Sequence, residues 1–361
     1  MNKELAGVFG RRLQQARTMR ELSLRGLSEA LKGVVSHNAL AKYEGGLMMP
    51  GSKVLIALAE VLGQPMDFFF RPFQVELKEV RFRRKSRLGA KRRQAIQEQA
   101  ADFFERYHEI EQITGEVRRF EPVLKKHTVR TPEDTEALAD LLRQEWSLGT
   151  DALPNVQELL EDKGIKVFEL DTDDTDFDGL SAETDAGDVV VLASHLRNNQ
   201  LRKRMTEVHE LAHIALPIAS GLEESQEEAI VRRFAGAFLM PATSFREAFG
   251  PHRTSLSLGE LINLKAQFGA SIMAIMKRAQ QLKLISDADF QGFSIYASKK
   301  GWRSGKEEDG QDAWKGVEQN FRFERLVMRA VAEDKISAAK GAALLNKSLD
   351  ELRALLQEVV A

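Results

Sequence analysis

Five residues constrain this chain more than any others: His209-Glu210-Leu211-Ala212-His213. They lie inside Met205 to Leu216, a run that reads as a helix. Residues four apart share one face of a helix, so the two imidazoles can grip one metal ion. Glu210 sits one residue along, beside the open coordination position. A zinc ion held in this way lowers the pKa of its bound water, and a neighbouring carboxylate can take the proton. The pentad therefore points to metal-assisted hydrolysis with His209 and His213 as ligands and Glu210 as base. Val208, Leu211, Ala212 and Ala215 surround the pair with apolar residues, which suits a half-buried helix.

Composition narrows the setting. A chain of 361 residues usually forms two or more domains. It has no Cys, which excludes disulfides, cysteine-type zinc fingers and thiol chemistry. No apolar run is long enough to span a bilayer, and Met1-Asn2-Lys3-Glu4 opens an amphipathic helix rather than a signal peptide. The expected location is the cytoplasm. The net charge of -2 hides an asymmetry. Residues 1–100 hold 19 Lys and Arg against 9 Asp and Glu; taken from totals of 52 and 54, these leave 33 against 45 for the rest. A basic front joined to an acidic remainder suggests a nucleic-acid partner for the front.

The first 70 residues have the rhythm of a helical bundle. Leu5, Val8, Phe9, Leu13 and Ala16 form an apolar stripe. Leu24 to Leu31, Ser36 to Glu44 and Val54 to Leu62 read as three further helices, and Asp67-Phe68-Phe69-Phe70 closes the unit. Gly33-Val34-Val35-Ser36 supplies a turn and an N-cap Ser between two of them. Short helices joined in this way form a helix-turn-helix. The run from Leu22 to Leu31, then Ser36-His37-Asn38-Ala39-Leu40-Ala41-Lys42-Tyr43-Glu44-Gly45-Gly46 and Pro50, resembles the Cro/repressor (XRE) helix-turn-helix family over residues 7–70. The resemblance implies that the helix beginning near Ser36 enters the major groove of double-stranded DNA. His37, Asn38 and Ala39 are then the base-reading positions, with Ser36 and Lys42 nearer the phosphates. Leu24 departs from the family, which often has a polar residue there. A helix-turn-helix used only for dimerisation is the alternative.

Arg81-Phe82-Arg83-Arg84-Lys85-Ser86-Arg87 and Lys91-Arg92-Arg93 follow, and such a charge run is read first as a solvated linker or helix face. Ile96, Ala100, Phe103, Tyr107 and Ile110 recur at steps of four and three, giving a helix with one apolar seam. A seam of this kind packs against its own domain more often than against a twin subunit, and a homodimer stays open as a partner. Glu121-Pro122 to Thr131-Pro132 interrupts the helical pattern and marks a boundary.

From Pro132 the chain reads as helix, helix, small sheet, metal helix. Glu136 to Leu148 and Val156 to Lys163 are the helices; Ile165 to Leu170, Asp178 to Ala182 and Asp188 to Leu192 are the strands. An exposed edge of such a sheet can hold an extended peptide beside the metal by main-chain hydrogen bonds. The third ligand should come from the helix Glu227 to Pro241. Glu228, Val231, Ala235 and Phe238 share a face, and a carboxylate on an apolar face needs a partner. Glu227 is the reserve candidate and Glu224 the third. Trp146, Gly164-Ile165-Lys166-Val167, Asp178-Gly179-Leu180, the pentad, Glu228, Phe234-Ala235 and Leu239-Met240-Pro241 together resemble the ImmA/IrrE family of bacterial metallopeptidases over residues 132–285. Family members are zinc-dependent proteases that cut a repressor or regulator and so release gene expression under stress or in mobile elements. The resemblance implies zinc on His209, His213 and Glu228, with Glu210 as base. Arg232 stands where the family usually has Asn. His195 and His252 are also in this region, but a lone His in a loop is usually solvated.

Ser298 to Gly316 reads as a flexible linker and Phe323 to Val360 as a small helical module with a second helix-turn-helix flavour. The expected architecture is mainly α with a small β-sheet (α+β). Its parts are a helix-turn-helix domain at 1–73, a basic segment and connecting helix at 74–130, a zincin-like metallopeptidase domain at 131–297, a linker at 298–320 and a helical module at 321–361. The expected function is a DNA-binding transcriptional regulator fused to a zinc endopeptidase that cleaves a repressor or other regulatory protein. The alternative is a non-catalytic regulator or antitoxin whose metallopeptidase-like domain binds or senses a partner, such as a toxin-antitoxin component.

Overall fold

The computed structural model describes residues 3–82, 88–172, 174–250, 256–302 and 313–357. Arg83 to Arg87, His252 and residues 358–361, into which the C-terminal helical reading extended, lie outside the described residues. The chain begins with four helices, α1 (Lys3–Met19), α2 (Leu24–Ala30), α3 (His37–Glu44) and α4 (Ser52–Leu62), closed by a 3₁₀ turn, Met66–Phe70. Phe9, Leu13, Leu27, Leu40, Leu58, Phe68 and Phe69 are its buried core. Leu5 is 43 % exposed, so the α1 stripe runs through Ala6, Phe9, Leu13 and Ala16 instead. Ser23 and Ser36 cap α2 and α3, each accepting a hydrogen bond from a backbone N–H three residues on. Arg17 donates twice to the Glu44 carboxylate and pins α1 to the end of α3.

Then come β1 (Leu77–Phe82) and the long helix α5 (Ala90–Thr114). The charge run read as a solvated linker or helix face is thus corrected at its start: Arg81 and Phe82 end a strand, held by pairing with the sheet rather than by its own alternation, while Lys91, Arg92 and Arg93 lie on the first turn of α5. α5 is the connector between the parts. On one side Arg12 forms an ion pair with Glu105 at 2.7 Å and Arg71 one with Asp102 at 2.9 Å. On the other, Phe103 stacks on Phe168 at 4.3 Å, and Tyr107 and Ile110 are buried. The apolar seam of α5 is covered by the chain itself.

After α5 follow α6 (Thr135–Glu145), α7 (Val156–Asp162), β2 (Lys166–Leu170), β3 (Gly179–Thr184), β4 (Gly187–Ala193), α8 (Gln200–Ala215) and α9 (Glu224–Leu239). The segment between α5 and α6, read as a boundary, packs Phe120, Leu124 and Val129 into the main core. The sheet is mixed, in the order β1-β3-β4-β2, with β2 and β4 parallel and the other pairs antiparallel. α8 lies across β3 and β4, and α9 packs between α8 and α6. Four more helices complete this part: α10 (Ala242–Phe249), α11 (Leu258–Phe268), α12 (Ile272–Gln281) and α13 (Asp287–Lys299). The architecture is α+β, as expected. No helix among the described residues is long and apolar enough to cross a membrane.

The stretch read as a flexible linker is packed at its two ends. Ser298 and Lys299 end α13, and Trp302 is buried beside Phe293 and Tyr296. Residues 303–312 lie outside the described residues. Beyond them Trp314 covers Arg204 at 4.8 Å, and Glu318 is buried. The chain ends in α14 (Arg322–Ala332), α15 (Ala338–Leu345) and α16 (Leu349–Gln357), with Leu326, Val327 and Ala330 packed on α5 beside Tyr107 and Ile110.

Candidate metal centre

The centre is built from two helices. α8 carries His209 and His213 one turn apart, and their Nε2 atoms stand 3.3 Å from each other. α9 brings Glu228 to them, its Oε1 lying 3.6 Å from each of those nitrogens. Among the described residues this is the one group of three His, Asp or Glu residues whose ligand atoms converge, all within 4.8 Å. Four tetrahedral ligands about 2.0–2.2 Å from a zinc ion stand about 3.3–3.6 Å apart. The spacing of the three donors therefore suits that ion, and the N/N/O set leaves a fourth position open.

Burial is graded across the centre. The His209 side chain is 2 % exposed, His213 12 % and Glu228 15 %, so the centre opens towards His213 and Glu228 and is closed at His209. Hydrogen bonds from His209 and His213 hold the Glu228 carboxyl well below its usual range, and burial opposes them. Glu210 is fully buried, and neither of its carboxylate oxygens has a hydrogen-bond partner among the described residues. Buried carboxylate oxygens are rarely left so, because each costs the desolvation it does not recover. A water and an ion at the adjacent centre are the partners this geometry allows.

Residues 13–69 match a family model described as helix-turn-helix. Residues 160–280 match the model of a peptidase family, described as the IrrE N-terminal-like domain. The chain thus carries a helix-turn-helix domain followed by an IrrE-like domain. No curated protein and no solved structure matches it.

Within the IrrE-like domain the geometry gathers His209, His213 and Glu228 but does not add Glu227 or Glu224 to them. Arg232, one turn after Glu228, places Nη1 3.9 Å from its Oε2 and is 57 % exposed, so this cation supports the carboxylate from the solvent side. His195 is half-buried and has a partner: its Nε2 lies 3.3 Å from Asp178 Oδ1, and Arg202 donates to the other oxygen of Asp178. Two features around α8 escape sequence reasoning. Arg81, on β1, donates from Nη1 to the His213 carbonyl at 3.2 Å. Its contact depends on strand pairing across more than a hundred residues, and inside a basic run it carries no signal. Glu207, on α8, is fully buried, and burial pushes its carboxyl up.

In the helix-turn-helix domain His37, Asn38 and Lys42 are exposed along α3. Ser36 is spent on capping, accepting from the Ala39 N–H at 3.2 Å. Ala39 is half-buried against the domain core. Leu24 likewise packs on that core, and the polar group at the start of α2 is the capping Ser23.

Proposed function

We propose that this chain is a DNA-binding regulator whose IrrE-like domain is a zinc-dependent endopeptidase acting on a repressor or another regulatory protein in a bacterial cytoplasm. The observation that carries the reading is the convergence of His209, His213 and Glu228 beside the unpartnered carboxylate of Glu210. His209, His213 and Glu228 would hold the ion. A zinc ion bound there supplies Lewis acidity to a water and to the scissile carbonyl. Glu210 takes a proton from the attacking water as its oxygen bonds to the carbonyl carbon. The same carboxyl then returns the proton to the leaving nitrogen as the C–N bond breaks. On the DNA side, Asn38 and His37 would read base edges and Lys42 would meet phosphate; Ser36 and Ala39 would contribute through backbone and shape.

Two substitutions test the mechanism. His213→Ala should empty the centre, measured as loss of stoichiometric zinc from the purified protein. Glu210→Gln keeps shape and ligands and removes the base, so zinc and DNA binding should persist while partner cleavage falls about a hundred- to ten-thousand-fold. Intact partner, followed by mass spectrometry after co-expression with candidate regulators, is the readout. Wild type that shortens no partner, or a Glu210→Gln protein that cuts as well as wild type, would replace the peptidase with a binding module.

A further inference from the structure

The IrrE-like match begins at residue 160, so the sheet within it consists of β2, β3 and β4, with β2 and β3 as its outer strands, and of these two it is β3 that packs against α8. An outer antiparallel strand presents a row of main-chain groups that an extended peptide can join. Here that row is taken. β1, from before the match, pairs antiparallel along β3, with Leu77 opposite Thr184, Lys78 opposite Glu183, Arg81 opposite Ser181 and Phe82 opposite Leu180.

The C-terminal end of β1 lies at the metal helix. Arg81 reaches the carbonyl of His213, itself a member of the centre. The first residue of β3, Gly179, is so close to α8 that a Cβ there would stand 3.2 Å from the Thr206 side chain, one turn before Glu210. β1 therefore runs where a peptide would have to run to bring a bond to His209, Glu210 and His213.

Its hold on β3 is light. The register shifts between Lys78 and Arg81, so two residues of β1 face one of β3 and the ladder is broken in its middle. Leu77 and Val80 are only partly buried against the sheet's core. The Lys78–Asp185 ion pair is about half exposed at both partners, a setting in which such pairs hold little. The start of the segment is fixed instead to the other domain: Arg12 donates to the carbonyls of Arg71 and Pro72, and Glu105 accepts from the Gln74 N–H.

We propose that β1 is a built-in occupant of the peptide-docking edge, a strand that must leave β3 before an extended substrate can lie beside the metal helix. The proposal rests on the peptide-docking half of the functional reading and not on turnover. Because its start is fixed to α1, release of the strand is tied to the position of the DNA-binding domain.

The Cys-free chain allows a clean lock. Lys78→Cys with Glu183→Cys places two thiols on Cα partners, which in an antiparallel pair lie about 4.5–5.5 Å apart, within the span of a disulfide. A third protein, Lys78→Glu, sets an acid against Glu183 and Asp185 and loosens the strand. The probe is a fluorescent peptide with the sequence of residues 77–82, titrated by anisotropy into the three full-length proteins. Affinity should be highest for Lys78→Glu, intermediate for the reduced pair and at least tenfold below the first for the oxidised pair. Hydrogen exchange should be faster at the β3 amides facing β1 than at those facing β4 in the reduced protein, and slowed by the disulfide. Equal affinity in all three proteins, or β3 amides equally protected on both sides in the reduced protein, overturns the proposal. Binding and exchange as expected without cleavage of any partner would keep this edge and discard the peptidase.

Discussion

Glu161 shows how a single buried carboxyl sets a pH response. Tyr107 donates to its Oε2 at 2.5 Å and the Val167 N–H to its Oε1 at 2.8 Å. Burial nevertheless outweighs these bonds and the nearby Arg322 and Lys166, and pushes the carboxyl from the ordinary 4.5 up to about 7. The folded chain then holds this proton more tightly than the unfolded chain. Its stabilising contribution is fully present below about pH 4.5 and is lost as the pH rises through about 7. Glu161→Gln removes the titration, so its urea midpoint should fall less than that of wild type between pH 5 and pH 8. Parallel profiles would mean that Glu161 does not titrate there. On α3 the residues divide by chemistry. Lys42→Ala should weaken binding across all duplex sequences and reduce the salt slope by about one, whereas Asn38→Ala should alter sequence preference. The reverse pattern would exchange the two roles.

Elements meet where small residues let them. Gly10 of α1 lies against the end of α3, where an added Cβ would stand 2.4 Å from the Glu44 carbonyl oxygen and 2.5 Å from that of Tyr43. Those atoms are backbone and cannot swing aside, so Gly10→Ala must push α3 off α1. We expect a cost of about 1–3 kcal/mol and weaker DNA binding, with zinc content unchanged. Thermal unfolding and binding to a random-sequence duplex read both effects; an undisturbed domain would show that the crossing tolerates a methyl. Elements whose reason is local were legible in the sequence. Ser36 announces the start of α3, and the period of four in the pentad places both imidazoles on one face of α8. The arrival of Glu228 at them needed the crossing of α9 over α8, which the pattern within α9 permits but does not demand. β1 was not legible: Leu77-Lys78-Glu79-Val80-Arg81-Phe82 lacks clean alternation and becomes a strand only through β3. Glu318 was hidden for the same reason, since its partner Arg204 is 114 residues away.

At the scale of the molecule, the segment around Glu318 straps the C-terminal module to the metal helix. Its carboxylate accepts from Arg204, with both side chains fully buried, and from the N–H groups of Val156 and Gln157 at the start of α7. Its backbone meets Gln200 and Lys203 of α8. Removing one partner of a buried pair leaves an uncompensated charge, which typically costs about 3–5 kcal/mol. Glu318→Ala should therefore lower the unfolding free energy by that amount, read as a lower denaturant midpoint at an unchanged slope. A midpoint within error of wild type would mean that water replaces the carboxylate. The clamp at the other end has a different consequence. With Arg12 on Glu105 and Arg71 on Asp102, the DNA reader is fastened to a helix of 25 residues, about 37 Å long. A fastened reader is a ruler. Two copies on neighbouring half-sites about 34 Å apart would carry their metal centres at one separation, dictated by the pitch of the duplex. Inserting half a helical turn of DNA between the half-sites would swing one centre to the opposite side of the double helix.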